Sequence, residues 1–220
     1  FGTDEFGRDI FSRVVYGCQT SLQIGLISVA ISCVIGVIVG CIAGYYGGVI
    51  DNLFMRGIDI LMAIPVTMLG ISIVAAFGQS TSNLILAIAL GSVCPYARLV
   101  RVSVLTEKDR EYVEAARATG ASDARIIMKY ILPNCMAPII VQATMSIAAA
   151  IMSATRLSFL GLGVPAPTPE WGSMASTARN YFRDYWWLIT FPGLAIMASV
   201  FSFNLFGDGL RDALDPKLKN

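Results

Sequence analysis

The chain has 220 residues, of which 55% are hydrophobic and 14% are charged, and its formal net charge is +1. Soluble domains usually carry about 25% charged residues, so this composition excludes an ordinary soluble domain and indicates a membrane protein. The low net charge gives no indication of a nucleic-acid partner, and the sequence has no histidine, the commonest metal ligand and the usual acid–base group near neutral pH.

Uncharged runs predict the membrane-spanning helices, because each run is longer than the roughly 20 apolar residues that one helix needs to cross the hydrocarbon. These runs cover residues 14–50, 60–97, 130–155 and 185–207. The sequence therefore predicts an all-α fold, a polytopic membrane helix bundle with five transmembrane helices. The 60–97 run is long enough to contribute to two of them. Their expected ranges are 22–44, 58–77, 84–100, 139–160 and 188–206.

Glycines and prolines inside these runs bear on helix packing. Gly36, Gly40 and Gly44 recur every four residues along the first predicted helix. This spacing fits a seam at which another helix approaches closely, and it fits equally well the general tolerance of membrane helices for glycine. Pro65 and Pro95 lie inside the second and third predicted helices and are expected to kink them.

The cysteines form no CxxC pair, and most lie in or beside apolar runs. We therefore expect them to be small buried apolar residues, and neither a disulfide framework nor a zinc site. They are Cys18, Cys33, Cys41, Cys94 and Cys135.

The loops differ in their content of lysine and arginine, and this difference predicts the orientation. The loops on one side and the C-terminal tail contain Arg56, Arg98, Arg101, Lys108, Arg110, Arg117, Arg125, Lys129, Arg211, Lys217 and Lys219. The other side contains Arg8, Arg13, Arg156, Arg179 and Arg183. Cationic loops stay in the cytoplasm, so the first side and the C-terminus are predicted to be cytoplasmic. Five helices then place Phe1 outside the cell, and we expect one further helix upstream.

The 101–134 segment is the one long charged stretch of the sequence, and it has the pattern of a helix, a turn and a second helix. The first helix is expected over Glu111–Thr119 and stops at Gly120. Ser122 and Asp123 are placed to cap a second helix over Asp123–Ile131, which Pro133 ends or bends. The segment is either a solvated amphipathic loop or a docking surface for a partner, and the predicted docking residues are Glu111, Tyr112, Glu114, Ala115, Ala116, Gly120 and Ala121.

Several stretches together resemble one family. Glu114-Ala115-Ala116, then Gly120 and Leu132-Pro133, is similar to the EAA motif of ABC-importer permeases. Further similarity to the dipeptide/oligopeptide/nickel permeases, and to the second of their two permeases, runs along the whole chain. It includes Gly2–Arg13, Leu157–Gly163, Pro169–Gly172, Phe191–Gly193 and Asn204–Pro216. One departure is Ser153, with Arg156 after it, where the subgroup often has an acidic residue.

The resemblance implies the architecture and the partners. Residues 1–220 would form a single permease domain of the bacterial or archaeal cell membrane, whose first transmembrane helix lies upstream. It would pair with a homologous permease, two ABC ATPase subunits and an extracytoplasmic solute-binding protein. The 101–134 segment would be the cytoplasmic coupling loop. ATP and magnesium would be bound by the ATPases and no cofactor by this chain, which also lacks a Walker A sequence and is not expected to be an enzyme.

The cargo is a separate question. Within the resembling subgroup, short peptides are favoured over nickel or another small solute. A self-contained secondary transporter is a remote alternative, because the sequence shows neither inverted repeats nor broken helices with intramembrane charge.

Two further predictions concern the outer face and the isolated charges. Pro169, Trp171 and Gly172, followed by the amphipathic piece 176–187, are a candidate contact for the solute-binding protein. The amphipathic piece could also lie on lipid, and the two interpretations do not exclude each other. Asp59 could pair with Arg56, but snorkelling of both side chains is favoured, as it is for Arg156 near the end of the fourth helix.

Overall fold

The computed structural model describes residues 1–181 and 183–214. Phe182 of the predicted amphipathic piece lies outside this range. So do Asp215 and Pro216 of the C-terminal signature and Lys217 and Lys219 of the orientation argument. The helices are α1 (Ile10–Tyr46), α2 (Gly48–Ala63), α3 (Val66–Phe77), α4 (Thr81–Glu107), α5 (Glu111–Ala118), α6 (Asp123–Ile126), α7 (Leu132–Asn134), α8 (Met136–Phe159), α9 (Trp171–Ala178) and α10 (Trp187–Leu214), with a π-helical turn, Ile127–Ile131, between α6 and α7.

The predicted all-α membrane fold is confirmed. Among the described residues, four helices are long and apolar enough to cross a membrane, namely α1, α4, α8 and α10, and α2 with α3 makes a fifth if that broken pair is one span. Three of these helices are longer than predicted: α1 begins at Ile10, α4 ends at Glu107 and α10 ends at Leu214. At 1.5 Å per residue these helices are longer than the hydrocarbon is thick. An apolar run marks only the part of a helix that lies within the hydrocarbon, so the predicted helices were too short.

The second predicted span is not one helix. The chain leaves helical geometry at Ile64 (φ −91°, ψ 119°) and Pro65 (φ −56°, ψ 134°), so α2 ends at Ala63 and α3 begins at Val66. Proline disfavours helical geometry in the residue before it, which explains the break. Pro95, by contrast, remains inside α4, where it removes one backbone donor without ending the helix.

The chain divides into two compact units, each with its own apolar clusters. The first unit comprises Phe1–Val29, Pro65–Ala89 and Thr144–Phe206. One of its clusters is centred on Ile10, Ala178 and Leu188. Another is centred on Ile151, Trp171 and Ile196.

The second unit comprises Ala30–Ile64, Leu90–Ala143 and Gly207–Asn220, of which residues 207–214 are described. In this unit the glycine spacing of α1 is a packing seam. A Cβ atom on Gly40 would lie 2.7 Å from the carbonyl oxygen of Ala97 and 2.7 Å from Cβ of Val100. Gly36 and Gly44 also face α4 at distances that leave no room for a methyl group. The seam therefore needs glycine for close helix approach.

We expect Gly40→Ala to destabilise the folded protein by about 1–3 kcal/mol, because the new methyl group overpacks the seam between α1 and α4. The matched control is Gly57→Ala on α2, where a Cβ atom would meet nothing within 4 Å. This control should be neutral or slightly stabilising, since alanine is the better helix former. Thermal unfolding of both purified variants in the same detergent tests the difference, and equal melting temperatures would contradict the close packing.

Two ion pairs join α2 to α4 and correct the expectation for Asp59. Arg98 Nη2 lies 2.5 Å from Asp59 Oδ1, so the partner of Asp59 is Arg98 rather than Arg56 or solvent alone. Arg101, one turn after Arg98 on α4, holds both carboxylate oxygens of Asp51, which lies about two turns before Asp59 on α2. These residues are far apart in sequence, which is why local spacing did not reveal the pairs.

All five cysteines lie within the described residues and have free thiols. Cys41, Cys94 and Cys135 are buried, and Cys18 and Cys33 are half-buried.

Candidate functional site

The first half of the 101–134 segment folds as the sequence predicts. Residues up to Glu107 complete α4, and α5 follows over Glu111–Ala118 with Glu111 and Glu114 in its first turn. Negative charge there is favourable, because the first turn of a helix carries a partial positive charge.

The turn after α5 is a Schellman cap built on a glycine. Gly120 has φ +78°, and its N–H donates to the carbonyl of Arg117 at 2.9 Å. The N–H of Ala121 donates to the carbonyl of Ala116 at 3.1 Å. This pair of hydrogen bonds satisfies carbonyls that the helix end leaves without partners. The cap fixes the direction in which the chain leaves α5.

Gly120→Ala should destabilise this cap by about 1–2 kcal/mol, because a Cβ atom makes left-handed backbone geometry unfavourable. No neighbour lies within 4 Å of the added Cβ, so the loss comes from backbone conformation and not from a clash. Gly120→Asn should lose less, since asparagine adopts this geometry more readily. Hydrogen exchange at the Ala121 amide measures the effect; unchanged protection in Gly120→Ala would contradict it.

The second half of the segment differs from the expected single helix over Asp123–Ile131, which Pro133 was predicted to end or bend. It consists of α6, then the π-helical turn Ile127–Ile131, then α7, and Pro133 lies within α7 without ending the helical path. Ser122 stands at the N-cap position, but its side chain makes no capping hydrogen bond. Proline in the first turn of a helix needs no backbone donor, which is why it is tolerated there.

A buried cluster fixes the part of the segment after α4 to the ends of α1 and α4 and to the start of α8. Val113, Ala116, Ile126 and Ile131 supply the side of the cluster that comes from the segment after α4. The other side includes Tyr45, Val100, Val104, Cys135 and Ile139. Apolar contact of this extent holds the segment as one body with these helix ends.

Polar contacts with Tyr45 strengthen this attachment. The Tyr45 hydroxyl donates to Asp123 Oδ1 at 2.7 Å, and the guanidinium of Arg117 lies 5.4 Å from the centre of the Tyr45 ring. Arg117 precedes the glycine turn and Asp123 follows it, so Tyr45 contacts the chain on both sides of the turn.

Tyr112 faces inward, although the sequence placed it on the docking surface. Its hydroxyl donates to Glu107 Oε2 at 2.6 Å and accepts from Asn134 Nδ2 at 3.2 Å. Burial, and then the hydrogen bond to Glu107, raise the pKa of Tyr112 to about 12, so the phenol keeps its proton at neutral pH. Tyr112 thus links the end of α4, α5 and α7.

The remaining predicted docking residues differ in their exposure. Glu111, Glu114, Ala115 and Gly120 are exposed, and Ala121 is half-buried. Ala116 is only 5% exposed and belongs to the buried cluster. Of the predicted docking residues, Glu111, Glu114, Ala115 and Gly120 are therefore the most open to a partner, whereas the Ala116 side chain packs in the core.

The outer-loop residues are placed differently from the prediction. Trp171 is 3% exposed, and its Nε1–H donates to the carbonyl of Val14 at 2.8 Å. Gly172 is buried where a Cβ atom would lie 2.8 Å from Cα of Thr155. Pro169 is half-buried. Trp171 and Gly172 are thus core residues that cannot form an exposed contact, and the local helix is α9 rather than the 176–187 piece.

Glu170, between these residues, was missed by the sequence reasoning. It is 1% exposed and forms the N-cap of α9. Its carboxylate accepts from the N–H groups of Gly172 and Ser173, each at 2.7 Å. It also accepts from the hydroxyls of Ser158 at 2.9 Å and Ser21 at 3.4 Å. One side chain thereby joins α1, α8 and α9 within the first unit.

Comparison with known proteins identifies the family. Residues 36–220 match the family described as "Binding-protein-dependent transport system inner membrane component". The chain is 51% identical over 219 residues to the di/tripeptide transport system permease protein DppC of Pseudomonas aeruginosa, covering 100% of this chain and 72% of that protein. The chain belongs to this permease family. It is therefore a multi-pass inner membrane component of a binding-protein-dependent transport system, which excludes the secondary-transporter alternative.

Two further relatives agree with this assignment. The permease is 50% identical over 218 residues to the dipeptide transport system permease protein DppC of Haemophilus influenzae, covering 99% of this chain and 74% of that protein. It is 51% identical over 219 residues to the glutathione transport system permease protein GsiD of Escherichia coli, covering 100% and 72% of the two chains.

Solved structures confirm the permease fold at low sequence identity. The inward-facing MetNI methionine ABC transporter matches with a TM-score of 0.75 at 20% identity, covering 94% of this chain and 98% of that chain. An amino acid ABC transporter matches with a TM-score of 0.69 at 14% identity, covering 93% and 95%.

In the permease, the two residues at the family departure contact each other. Arg156 Nη2 donates to Ser153 Oγ at 3.3 Å, and Arg156 Nε donates to the carbonyl of Met152 at 3.3 Å. Arg156 is exposed. The serine thus offers the arginine a neutral acceptor, and an acidic residue there would form an ion pair.

Proposed function

We propose that this chain is a permease subunit of an ATP-driven importer that moves short peptides into the cell. The assignment of a peptide cargo is supported by relatives that are about 50% identical over essentially the whole chain. These relatives are named for the transport of di- and tripeptides, of dipeptides and of glutathione. The permease itself supplies the path, and the proposal assigns no catalytic step to it.

The proposed assembly has a homologous second permease, two ABC ATPase subunits and an extracytoplasmic solute-binding protein. ATP and magnesium bind to the ATPases, and this chain holds no cofactor. The excess of lysine and arginine in the 101–134 segment and the C-terminal tail supports a cytoplasmic position for both. The tail cations Lys217 and Lys219 count toward this excess by sequence alone.

The 101–134 segment is proposed as the part that receives motion from an ATPase. Its exposed residues Glu111, Glu114 and Ala115 lie on α5, whose opposite side is anchored in the buried cluster through Val113 and Ala116. A short helix held in this way moves with the helix ends to which it is fixed, so displacement of α5 is carried to α4 and α8 as rigid-body motion.

Reconstitution tests the function and the cargo together. The complete transporter, with its ATPases and solute-binding protein, is placed in proteoliposomes, and uptake of radiolabelled dialanine is followed with and without ATP. We expect ATP-dependent uptake that an excess of an unlabelled tripeptide suppresses. Uptake of radiolabelled nickel is measured in parallel. Transport of nickel without transport of peptide would replace the proposed cargo, and failure of any ATPase to co-purify would contradict the proposed assembly.

A further inference from the structure

The first unit contains a cleft of about 350 Å³ that no role described above uses. It lies between the 3–9 loop, the start of α1, the 161–168 loop and α9. Its size falls at the lower end of the range found for small-molecule sites, which is about 300–1,000 Å³.

The loop on one wall of the cleft is held in a fixed shape. Thr3 and Asp9 form an antiparallel bridge across its ends. Inside the loop, Asp4 Oδ1 accepts from the N–H groups of Phe6 at 3.0 Å and Arg8 at 2.8 Å. Although burial acts to raise the pKa of Asp4, hydrogen bonds from the backbone and side chain of Arg8 lower it below its ordinary value. Asp4 is therefore ionised and fully engaged.

Arg13 supplies unused hydrogen-bond donors to the cleft. Arg8 Nε binds Asp4 Oδ2 at 2.6 Å, whereas Arg13 Nε lies 3.7 Å from the same oxygen. Within residues 1–181 and 183–214, the other polar contact of Arg13 is a hydrogen bond of 3.3 Å from Nη1 to the carbonyl of Pro167. A guanidinium has five N–H donors, so most of its capacity remains. Its side chain is only 17% exposed, which strengthens any charge-assisted hydrogen bond made there.

The rest of the lining suits a molecule with both charges and an apolar part. Glu5 on the same loop is exposed and adds a carboxylate to the lining. Ile10, Met174 and Leu188 supply a buried apolar floor. A free peptide is a zwitterion with side chains between its charged ends, and a planar guanidinium is the side chain best matched to its terminal carboxylate.

We propose that this cleft binds the terminal carboxylate of a short peptide through Arg13. The inference rests on the proposed peptide cargo and adds a second element to it, a peptide-binding site on the permease itself. The ammonium end of the peptide lies toward Glu5, and the side chains lie on the apolar floor.

Peptide binding is measured on the purified transporter without its solute-binding protein, so that any signal comes from the membrane complex. Isothermal titration with dialanine should show saturable binding. Dialanine amide, which lacks the carboxylate, should bind at least about tenfold more weakly, since a hydrogen-bonded charge pair is lost. Arg13→Gln should weaken dialanine binding by a similar factor, and Arg13→Lys by less because the charge is kept.

The matched control is Arg179→Gln, which removes an exposed arginine outside the cleft and should leave binding unchanged. Melting temperatures of all variants identify any loss of folding, and Arg13→Lys with the native melting temperature keeps the test valid if Arg13→Gln unfolds. Equal binding of dialanine and its amide, or equal binding by Arg13→Gln, would overturn the proposal.

Two other outcomes separate this inference from the proposed function. If the wild-type transporter takes up dialanine but the isolated complex does not bind it, the proposed peptide site in the cleft is wrong and the proposed peptide cargo stands. If dialanine does not bind and Arg13→Gln reduces only the ATPase stimulation by the solute-binding protein, the cleft receives a protein carboxylate, and the peptide site is likewise overturned.

Discussion

Replacing Glu170 with alanine should lower the free energy of unfolding of the first unit by about 3–5 kcal/mol. The substitution removes the acceptor of four hydrogen bonds at a site that is 1% exposed to solvent. Each buried donor left without a partner costs about 1–3 kcal/mol. Loss of the N-cap of α9 adds about 1 kcal/mol, although relaxation of the site offsets part of the sum.

Two companion variants separate the carboxylate from the effect of mutation itself. Glu170→Gln keeps one acceptor oxygen but presents an amide N–H₂ group to the remaining donors, so its loss should fall between those of wild type and Glu170→Ala. Asp184→Ala removes an exposed carboxylate of the same unit and should change little. Thermal unfolding in detergent ranks the variants. A melting temperature for Glu170→Ala equal to that of Asp184→Ala would show that the buried network contributes nothing to stability.

The role of Glu170 could not be predicted from the sequence for a physical reason. Glutamate is not among the favoured N-cap residues, which are serine, threonine, aspartate and asparagine, so no local signal marked the start of α9. Its burial depends on Ser21 and Ser158, which are 149 and 12 residues away. The resemblance included the Pro169–Gly172 stretch, but similarity of sequence does not show whether those side chains are exposed or buried.

Prediction succeeded where the signal is local or compositional. Uncharged runs indicated where the chain crosses the membrane, and Gly120 correctly ended α5. The break at Pro65 and the continuity at Pro95 show the limit of this reasoning, because the same residue type gave opposite results in two apolar runs. Neighbouring helices decide whether the freed backbone groups find partners, and a single run does not contain that information.

The orientation of α5 is an intermediate case, since the sequence held a signal that was not used. Val113 is the one large aliphatic residue of α5, and Ala116 follows it by three positions on the same side of the helix. Both are buried, whereas Ala115 is exposed. Adjacent alanines therefore have different surroundings, which the motif alone does not distinguish.

This difference in burial predicts that the same substitution reduces ATPase stimulation at Ala115 and reduces protein stability at Ala116. Ala115→Arg places a long cation on the exposed side of α5, where the proposed ATPase contact needs a small side chain. We expect peptide-stimulated ATPase activity of the assembled transporter to fall about fivefold or more, since overpacking a close interface costs about 1–3 kcal/mol. The melting temperature of the permease should remain close to that of wild type.

Ala116→Arg, in contrast, forces a guanidinium into the cluster that contains Val113 and Ile126. A buried charge without a partner destabilises a protein by about 3–5 kcal/mol, so this variant should show a lower melting temperature and poor recovery from the membrane. ATPase stimulation, melting temperature and the amount of co-purified ATPase are measured for both variants. Two results for Ala115→Arg would contradict the assignment of this exposed face to the ATPase. A large loss of stability would place Ala115 in the core. Full ATPase stimulation with a native melting temperature would show that nothing docks on the exposed face of α5.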